Sequence, residues 1–155
     1  MTVADDDISK LIDSEENYEN PFRQSSVLPY RLGKKGLEVL MITSMKRKHW
    51  IIPKGIIVEP DMTPWDSAAK EALEEAGVEG DVSSQKIGRY HYEKWGGLCR
   101  CDVYAMRVTK VHDIWLESEE RDRAWVSGDE VIARLRHKKL KAIVCNFIQQ
   151  RRDRS

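Results

Sequence analysis

Apolar and polar residues alternate along the first half of the chain in a way that predicts β-strands. The segments SSVLPYRL and LEVLMITS, joined by the polar turn GKKG, are typical of a β-hairpin. The apolar run WIIPKG predicts a short strand that stops at Pro53 and Gly55. Two later strands are predicted near 85–95 and 99–108, with the glycines at 96–97 turning between them. A mixed sheet is therefore expected.

Three segments carry helix signals. The clearest helix begins at Pro64, because Thr63 suits the N-cap, proline suits the first helical position and Gly77 suits the left-handed residue that ends a helix. A second helix is predicted near 129–136 and a third near 138–150. Apolar residues of the third helix recur at helical spacing, and they are Leu140, Ile143, Val144, Phe147 and Ile148.

The order of these elements favours an α+β fold or a three-layer sandwich in one domain. No internal repeat or linker divides the chain, and its 155 residues are enough to bury a real core. Residues 1–20 are polar and acidic, and we expect them to form a mobile arm, although Ile8, Leu11 and Ile12 could form a short helix. The domain itself is expected to span 21–151.

Composition and charge exclude several classes of partner. Basic and acidic residues balance at 26 each, so no global charge directs the chain to nucleic acid or to a membrane surface. Cys99, Cys101 and Cys145 form neither a disulfide framework nor a paired zinc motif, which is typical of a reducing compartment. The sequence has no apolar leader and no apolar run of membrane length. We therefore expect a cytoplasmic protein with no membrane association and no stable nucleic-acid partner.

The segment KEALEEAGV concentrates negative charge within about one helical turn. Glu71, Glu74 and Glu75 repel one another on a helix surface, and solubility needs no such crowding. At about 100° per residue they share an arc roughly opposite an apolar arc, so we expect the apolar arc to dock on the sheet through Leu73 and Ala76. The full apolar arc comprises Trp65, Ala69, Ala72, Leu73 and Ala76.

A carboxylate cluster of this kind suits a hard divalent cation. Mg²⁺ prefers oxygen ligands, keeps several waters and bridges substrate phosphates. The helix follows a strand that ends in PKG, so the exposed carbonyls of that loop lie near the cluster in sequence. A solvated acidic face is the plain alternative for any acidic helix, and the flanking strand and loop favour the metal site over it.

The segment from Gly55 to Val78 resembles the Nudix box, Gx5Ex7REUxEExGU, in which U is an aliphatic residue. The metal-binding half of the box matches at Glu71, Glu74, Glu75, Gly77 and Val78. Three positions depart from the pattern, with Ile56 at the first glycine, Met62 at the upstream glutamate and Lys70 at the arginine. Lysine makes a single point contact with a carboxylate, whereas arginine makes a planar fork.

The wider resemblance covers about residues 22–150. It includes the segment from Trp50 to Pro53 and the motif RDRAW, which resemble the diphosphoinositol polyphosphate and diadenosine polyphosphate branch of the Nudix hydrolases. The resemblance implies a Nudix fold, with a mixed β-sheet sandwiched between helices. It also implies a metal-dependent hydrolase that cleaves a diphosphate linkage in a nucleoside polyphosphate or a diphosphoinositol polyphosphate-like substrate.

The same resemblance implies roles for individual residues. By position, the catalytic residues that hold Mg²⁺ or Mn²⁺ are Glu71, Glu74 and Glu75, and the Gly55 carbonyl is a further ligand. Many members of the family draw one more acid from outside the box. The candidates for that acid are Glu117, Glu119 and Glu120. A solvated loop is an equally good interpretation of each of these three.

Basic and aromatic side chains are candidates for binding a small phosphorylated substrate. Arginine and lysine favour phosphate, although a solvated loop explains residues 46–48 equally well. The basic candidates are Arg23, Arg31, Lys46, Arg47, Lys48 and Arg100. The candidates for stacking on a nucleobase, for which packing is the more frequent role, are Tyr90, Tyr92, Trp95 and Trp115.

Two other functions stay open on the sequence alone. The chain could hydrolyse a different Nudix substrate, such as a nucleotide sugar or a capped RNA end, because specificity lies in loops outside the box. It could also be a non-catalytic binding module with the same fold. The intact glutamates argue against the binding module.

Overall fold

The computed structural model describes residues 21–57, 61–94 and 96–153. Its strands are β1 (Phe22–Gly33), β2 (Gly36–Thr43), β3 (Trp50–Ile51), β4 (Lys54–Ile56), β5 (Val78–Val82), β6 (Gly88–Lys94), β7 (Gly97–Val111) and β8 (Arg123–Ser127). Its helices are α1 (Pro64–Glu71), which continues as a π-helical turn (Ala72–Ala76), α2 (Gly128–Arg134) and α3 (Lys138–Asp153). Within the described ranges, no helix is long and apolar enough to span a membrane.

The described strands form one mixed sheet around β1. β1 pairs in parallel with β7, from Phe22 opposite Cys99 to Tyr30 opposite Arg107. The first half of β1 borders β4 and its second half borders β2, both in antiparallel register. β6 and β5 pair with the two halves of β7, while β3 and β8 pair with β2. The short strand β4, which carries Gly55, therefore lies beside the first residues of β1.

Helices cover both faces of this sheet, because side chains alternate between the two faces along each strand. On β1, Leu28 packs in the core cluster that includes residues of α3. Its neighbour Val27 packs in the other cluster, which includes residues of α1. The predicted fold, a mixed sheet sandwiched between helices, is confirmed.

Local sequence signals placed several elements correctly. Gly33 lies opposite Gly36 at the turn of the predicted hairpin. The side chain of Thr63 accepts a hydrogen bond from the backbone N–H of Asp66 at 3.1 Å, as an N-cap does. Gly77 ends the helical segment with a φ of 66°. The apolar residues predicted for the core face of α3 are all buried.

Other elements differ from the sequence prediction. The pattern of VEGDV, with only two apolar residues, does not predict β5. The run WIIPKG forms two strands, β3 and β4, instead of one. They are separated at Pro53, which has no N–H to donate to a ladder. The predicted acidic arm at 1–20 and the candidate Trp95 lie outside the described residues.

The predicted docking face of the helical segment is confirmed at Ala76 and wrong at Leu73. Leu73 is 40% exposed, whereas Glu71 and Glu75 are only 2% and 4% exposed. The helix packs on the sheet instead through a stripe of buried residues at four-residue spacing, Ala68, Ala72 and Ala76. Because alanine side chains are short, the helix lies close to the sheet, and the glutamates next to the stripe are buried with it.

The π-helical turn explains part of this error. Residues 72–76 are π-helical, whereas a helical wheel at about 100° per residue assumes a regular α-helix. The wider turn changes the angular positions of Glu74 and Glu75 relative to the preceding residues. Single π-turns inside helices are rare, and those that occur are often found at functional sites.

Candidate active site and metal centre

The carboxylate of Glu71 rests directly on the backbone of strand β4. A Cβ atom at Gly55 would collide with the carboxyl carbon and with both oxygens of Glu71. A side chain at this position would displace the Glu71 carboxylate, so glycine here permits the close approach of that carboxylate and is not set by a turn. Gly55, which directly precedes the first position of the box, and Glu71 form one local unit.

Glu75 is held from several directions. Its Oε1 accepts a hydrogen bond from the backbone N–H of Lys54 at 3.2 Å. Its Oε2 lies 3.7 Å from Nη2 of Arg121. The indole Nε1–H of Trp115 donates to the Glu75 backbone carbonyl at 3.0 Å. The position of this carboxylate is thus fixed by the sheet and by the loop after β7.

Two carboxylate oxygens of the cluster have no such partners. Oε2 of Glu71 and Oε2 of Glu74 are buried and accept no hydrogen bond from the described residues. A buried polar atom without a partner costs roughly 1–3 kcal/mol, and more when it is charged. A bound cation would remove that cost, so these two oxygens mark the place where a metal fits.

Burial makes the carboxyls of Glu71 and Glu75 weaker acids than an exposed glutamate. Burial raises the pKa of Glu71 from its ordinary 4.5 to about 7, although a hydrogen bond with Glu75 opposes the rise, and the charge of Glu74 adds to it. Burial also raises the pKa of Glu75 well above its usual range, with the Arg121 guanidinium opposing the rise. At neutral pH the metal-free pair therefore retains a proton, which cation binding would release.

The described residues contain no group of three or more His, Cys, Asp or Glu side chains already arranged to hold a metal ion. The contacts of Glu75 account for this, because its oxygens face Lys54, Arg121 and the Glu71 carboxyl. Carboxylate oxygens beside a backbone strand are nonetheless a donor set that suits Mg²⁺ or Mn²⁺, with water completing the shell. The residues present therefore fit a divalent cation.

A fourth carboxylate, that of Glu117, joins the cluster from the loop after β7. Its Oε1 lies 3.0 Å from Nε of Arg121, and its side chain is 14% exposed. Its backbone N–H donates to the carbonyl of Glu74 at 3.1 Å. Burial raises the pKa of Glu117. Among the acids proposed from this loop, the structure brings Glu117 to the cluster and leaves Glu119 and Glu120 exposed.

Two of the predicted substrate-binding cations lie together near β4. Arg23 on β1 is opposite Arg100 on β7, and His91 on β6 is opposite Arg100 on its other side. The backbone N–H of Ile57, just after β4, donates to the carbonyl of Arg23 at 3.1 Å. This row of basic residues therefore lies at the same end of the sheet as Gly55.

The other predicted cations are placed differently. Arg31 is six residues beyond Ser25, the partner of Gly55, which is roughly 20 Å along a strand. It pairs with Glu38 at 2.9 Å. Arg47 is bound to the loop after β7, through Asp122 Oδ1 at 3.2 Å and the Glu119 carbonyl at 2.6 Å. The flanking candidates Lys46 and Lys48 are exposed.

Sequence reasoning missed two residues of this region, Lys54 and Arg121. The ammonium of Lys54 lies 4.3 Å from the ring centroid of Tyr92, and burial lowers its pKa. A lysine between an apolar strand and a glycine is the signal that could have identified it. Arg121 stands in the quoted motif RDRAW, but its partners are distant in sequence, and no local pattern shows them.

The predicted stacking residues are engaged in packing. Tyr90 is 4% exposed and stacks on Tyr92 at 5.9 Å between ring centroids. Trp115 packs under the guanidinium of Arg123, which lies 3.9 Å from its ring. A cavity of about 300 Å³ is lined by residues of α3 and of the segment before β6, away from the glutamates. The candidate site therefore rests on the carboxylate cluster and not on that cavity.

Comparison with known proteins identifies the family of this chain. The family model of the NUDIX domain matches residues 22–146. The chain is 30% identical to "Nudix hydrolase 13, mitochondrial" of Arabidopsis thaliana over 157 residues, covering 86% of this chain and 77% of that protein. It is 36% identical to "Diphosphoinositol polyphosphate phosphohydrolase 2" of Rattus norvegicus over 100 residues, covering 61% of this chain and 52% of that protein.

A solved structure agrees in fold. The C. elegans Ap4A hydrolase binary complex superposes with a TM-score of 0.70 and 21% sequence identity, covering 81% of this chain and 94% of that chain. At this identity the match speaks for the fold alone. The family match over most of the chain, together with the Nudix hydrolase relatives, decides the class. This chain belongs to the NUDIX family and is a Nudix pyrophosphohydrolase.

Proposed function

We propose that the protein is a divalent-metal-dependent hydrolase of small molecules that carry several phosphates, such as a nucleoside polyphosphate or a diphosphoinositol polyphosphate-like compound. The observation that carries the proposal is the pair of buried oxygens on Glu71 and Glu74 that lack hydrogen-bond partners within the described residues. Both glutamates belong to the helical segment whose Glu71 carboxylate contacts Gly55.

In this proposal Mg²⁺ or Mn²⁺ is held by Glu71, Glu74 and Glu75, with the Gly55 carbonyl as a further ligand. Such an ion supplies neutralisation of charge on phosphate oxygens and lowers the pKa of bound water. Glu75 keeps its position through the Lys54 N–H and Arg121, so its carboxylate acts as a fixed point of the site. The coupled pair of Glu71 and Glu75 holds a proton in the metal-free state, and cation binding would release it.

Glu117 is proposed to accept the proton of the attacking water. Its carboxylate is mostly buried, and its raised pKa brings it nearer to neutral pH, where a general base is most effective. Its backbone is bound to the carbonyl of Glu74, so it is carried by the same local structure as the metal ligands. Arg121 fixes the direction of the carboxylate.

A polyphosphate substrate is supported by the cations around β4. Arg23 and Arg100 are neighbours on adjacent strands, at the end of the sheet that carries Gly55. Arginine and lysine favour phosphate oxygens. One relative is named for diphosphoinositol polyphosphate and one solved neighbour for Ap4A, which agrees with this substrate class.

The test is a substrate panel with product identification, run with Mg²⁺ and again with chelator. The panel contains ATP, a dinucleoside polyphosphate, a diphosphoinositol polyphosphate, a nucleotide sugar and a capped RNA. We expect polyphosphates to be cleaved fastest, and only with metal. Preference for the sugar or the RNA would reject the proposed class, and absence of any metal-dependent cleavage would favour a binding module.

The same substrate panel, run on variants, can show which residues bind the substrate. The double variant Arg23→Gln/Arg100→Gln should raise KM for polyphosphates, most strongly at low salt where charges are least screened. Arg107→Gln, on the same strand as Arg100 but opposite Tyr30, is the matched control and should leave KM unchanged. Equal KM values in all three proteins would remove the two arginines from the substrate site.

A further inference from the structure

Arg121 lies at a junction of three elements. Arg121 is only 8% exposed. Its Nη1 donates to the carbonyl of Thr43 at 2.9 Å, at the end of β2. Its Nε donates to Glu117 at 3.0 Å, and its Nη2 lies 3.7 Å from Oε2 of Glu75. One guanidinium therefore contacts a sheet, a loop and the carboxylate-bearing helix at once.

We propose that Arg121 is the positioning residue of the metal site. It fixes the carboxylates of Glu75 and Glu117 relative to each other, so that fewer side chains have to be ordered when a cation binds. This inference rests on the proposed function, because it concerns the affinity of the same cluster for a divalent cation. Arg121 itself is not proposed to touch metal or substrate.

The base of Arg121 is held firmly, which a positioning residue requires. The backbone N–H of Thr43 donates to the carbonyl of Asp122 at 3.0 Å. In return, the backbone N–H of Asp122 donates to the Thr43 hydroxyl at 2.9 Å. The neighbouring residue is thus tied to β2 from both sides. The Arg121 side chain therefore starts from a fixed point of the backbone.

The shape of arginine is essential to this role. The guanidinium is planar and presents donors in several fixed directions, whereas lysine has a single ammonium at the end of a flexible stem. The arginine position of the box is Lys70, and within the described ranges Lys70 forms no salt bridge. Arg121, from outside the box, is therefore the arginine that contacts a box carboxylate.

Arg123 provides a matched control. It is two residues further along and also contacts the end of the same helical segment. Its guanidinium, however, donates to the backbone carbonyls of Ala76 and His112, and it stacks on Trp115. It supports the chain around the site without touching a carboxylate of the cluster. Arg123 reaches Glu75 only indirectly, through Trp115 and the Ala76 carbonyl, so its loss should disturb the metal ligands less than the loss of Arg121.

The experiment measures Mn²⁺ binding by electron paramagnetic resonance without substrate, together with the thermal midpoint, for wild type, Arg121→Lys and Arg123→Lys. Arg121→Lys keeps the charge and removes the fork. We expect its Mn²⁺ Kd to rise about tenfold or more, as for other residues that orient metal ligands. We also expect kcat to fall with little change in KM. Arg123→Lys should lower the thermal midpoint and raise the Mn²⁺ Kd much less than Arg121→Lys does.

A second variant distinguishes loss of the guanidinium group from a folding defect. In Arg121→Ala, added millimolar guanidinium can occupy the vacated space, and the Mn²⁺ Kd should return toward the wild-type value. An unchanged Mn²⁺ Kd in Arg121→Lys would overturn the inference, and so would equal Kd losses in Arg121→Lys and Arg123→Lys. No rescue in folded Arg121→Ala would also count against it. Failure of wild type to bind Mn²⁺ would reject the proposed function itself.

Discussion

The two helices that cover opposite faces of the sheet dock in different ways. α3 docks through large apolar side chains, of which Phe147 is 6% and Val144 0% exposed. The helical segment that begins with α1 docks through alanines, and it buries Glu71 and Glu75 beside them while Leu73 stays exposed. The apolar pattern predicted the first face correctly, but on the second face it failed at Leu73 and missed the burial of the two glutamates.

The difference has a physical cause. On the α3 side, burial of apolar surface is the only requirement, so periodicity identifies the buried residues. On the α1 side, short alanines bring the helix close enough for the Glu71 carboxylate to rest on Gly55. Stability is reduced there by buried carboxylates that lack donors, as is expected where a local rule is broken for function. Each prediction below tests one side of this contrast.

The largest stability effect is expected on the α3 face. Phe147→Ala removes a buried ring that packs on Tyr30 at 5.3 Å between centroids, and should lower the free energy of unfolding by about 3–5 kcal/mol. Denaturant unfolding measures this loss. Mn²⁺ affinity, measured where the variant is fully folded, should be unchanged. A coupled loss of Mn²⁺ affinity would show that the two faces are not independent.

The carboxylates should give the metal-free protein an unusual dependence on pH. The pKa of Glu71 is raised in the folded state from 4.5 to about 7, so the folded protein binds more protons than the unfolded chain in that range. Stability in chelator should therefore fall as the pH rises from about 4.5 to 7, by on the order of 2 kcal/mol. Thermal midpoints across this range measure the effect.

A matched variant isolates the residue responsible. Glu71→Gln cannot ionise, so its thermal midpoint in chelator should depend less on pH between 4.5 and 7 than that of wild type. Saturating Mg²⁺ should also remove most of the dependence in wild type. Parallel pH curves for the variant and wild type would show that Glu71 does not titrate as proposed.

The smallest effect is expected at Leu73, the residue assigned to the docking face by its sequence pattern. Its side chain is 40% exposed, so Leu73→Ala should lower the free energy of unfolding by less than about 1 kcal/mol. A buried docking leucine would instead cost about 2–5 kcal/mol. Urea unfolding distinguishes the two values. The larger value would show that Leu73 packs on the sheet, as the helical wheel indicated.

Local signals account for what the sequence could predict. The hairpin, the Thr63 cap and the apolar face of α3 depend on residues close in sequence, and all three are present. The cytoplasmic location and the acidic arm at 1–20 stay predictions.

Non-local contacts account for what the sequence could not predict. Thr43 and Arg121 are 78 residues apart, and no periodicity connects them. The choice of Glu117 over Glu119 and Glu120 depends on the path of a loop that no pattern specifies. The burial of Glu71 depends on a helix drawn close to the sheet by alanines and followed by a π-turn. In each case tertiary contacts override the local pattern.

The most direct test of the central claim is the Mn²⁺ affinity and kcat of Glu74→Gln, which keeps side-chain size and removes the charge of an oxygen without a hydrogen-bond partner among the described residues. Glu130→Gln on α2, a surface partner of Arg134, is the control. We predict that Glu74→Gln weakens Mn²⁺ binding and lowers kcat by about 10²–10³-fold, while the control matches wild type. Wild-type Mn²⁺ affinity and kcat in Glu74→Gln would contradict the claim that these carboxylates form the metal site.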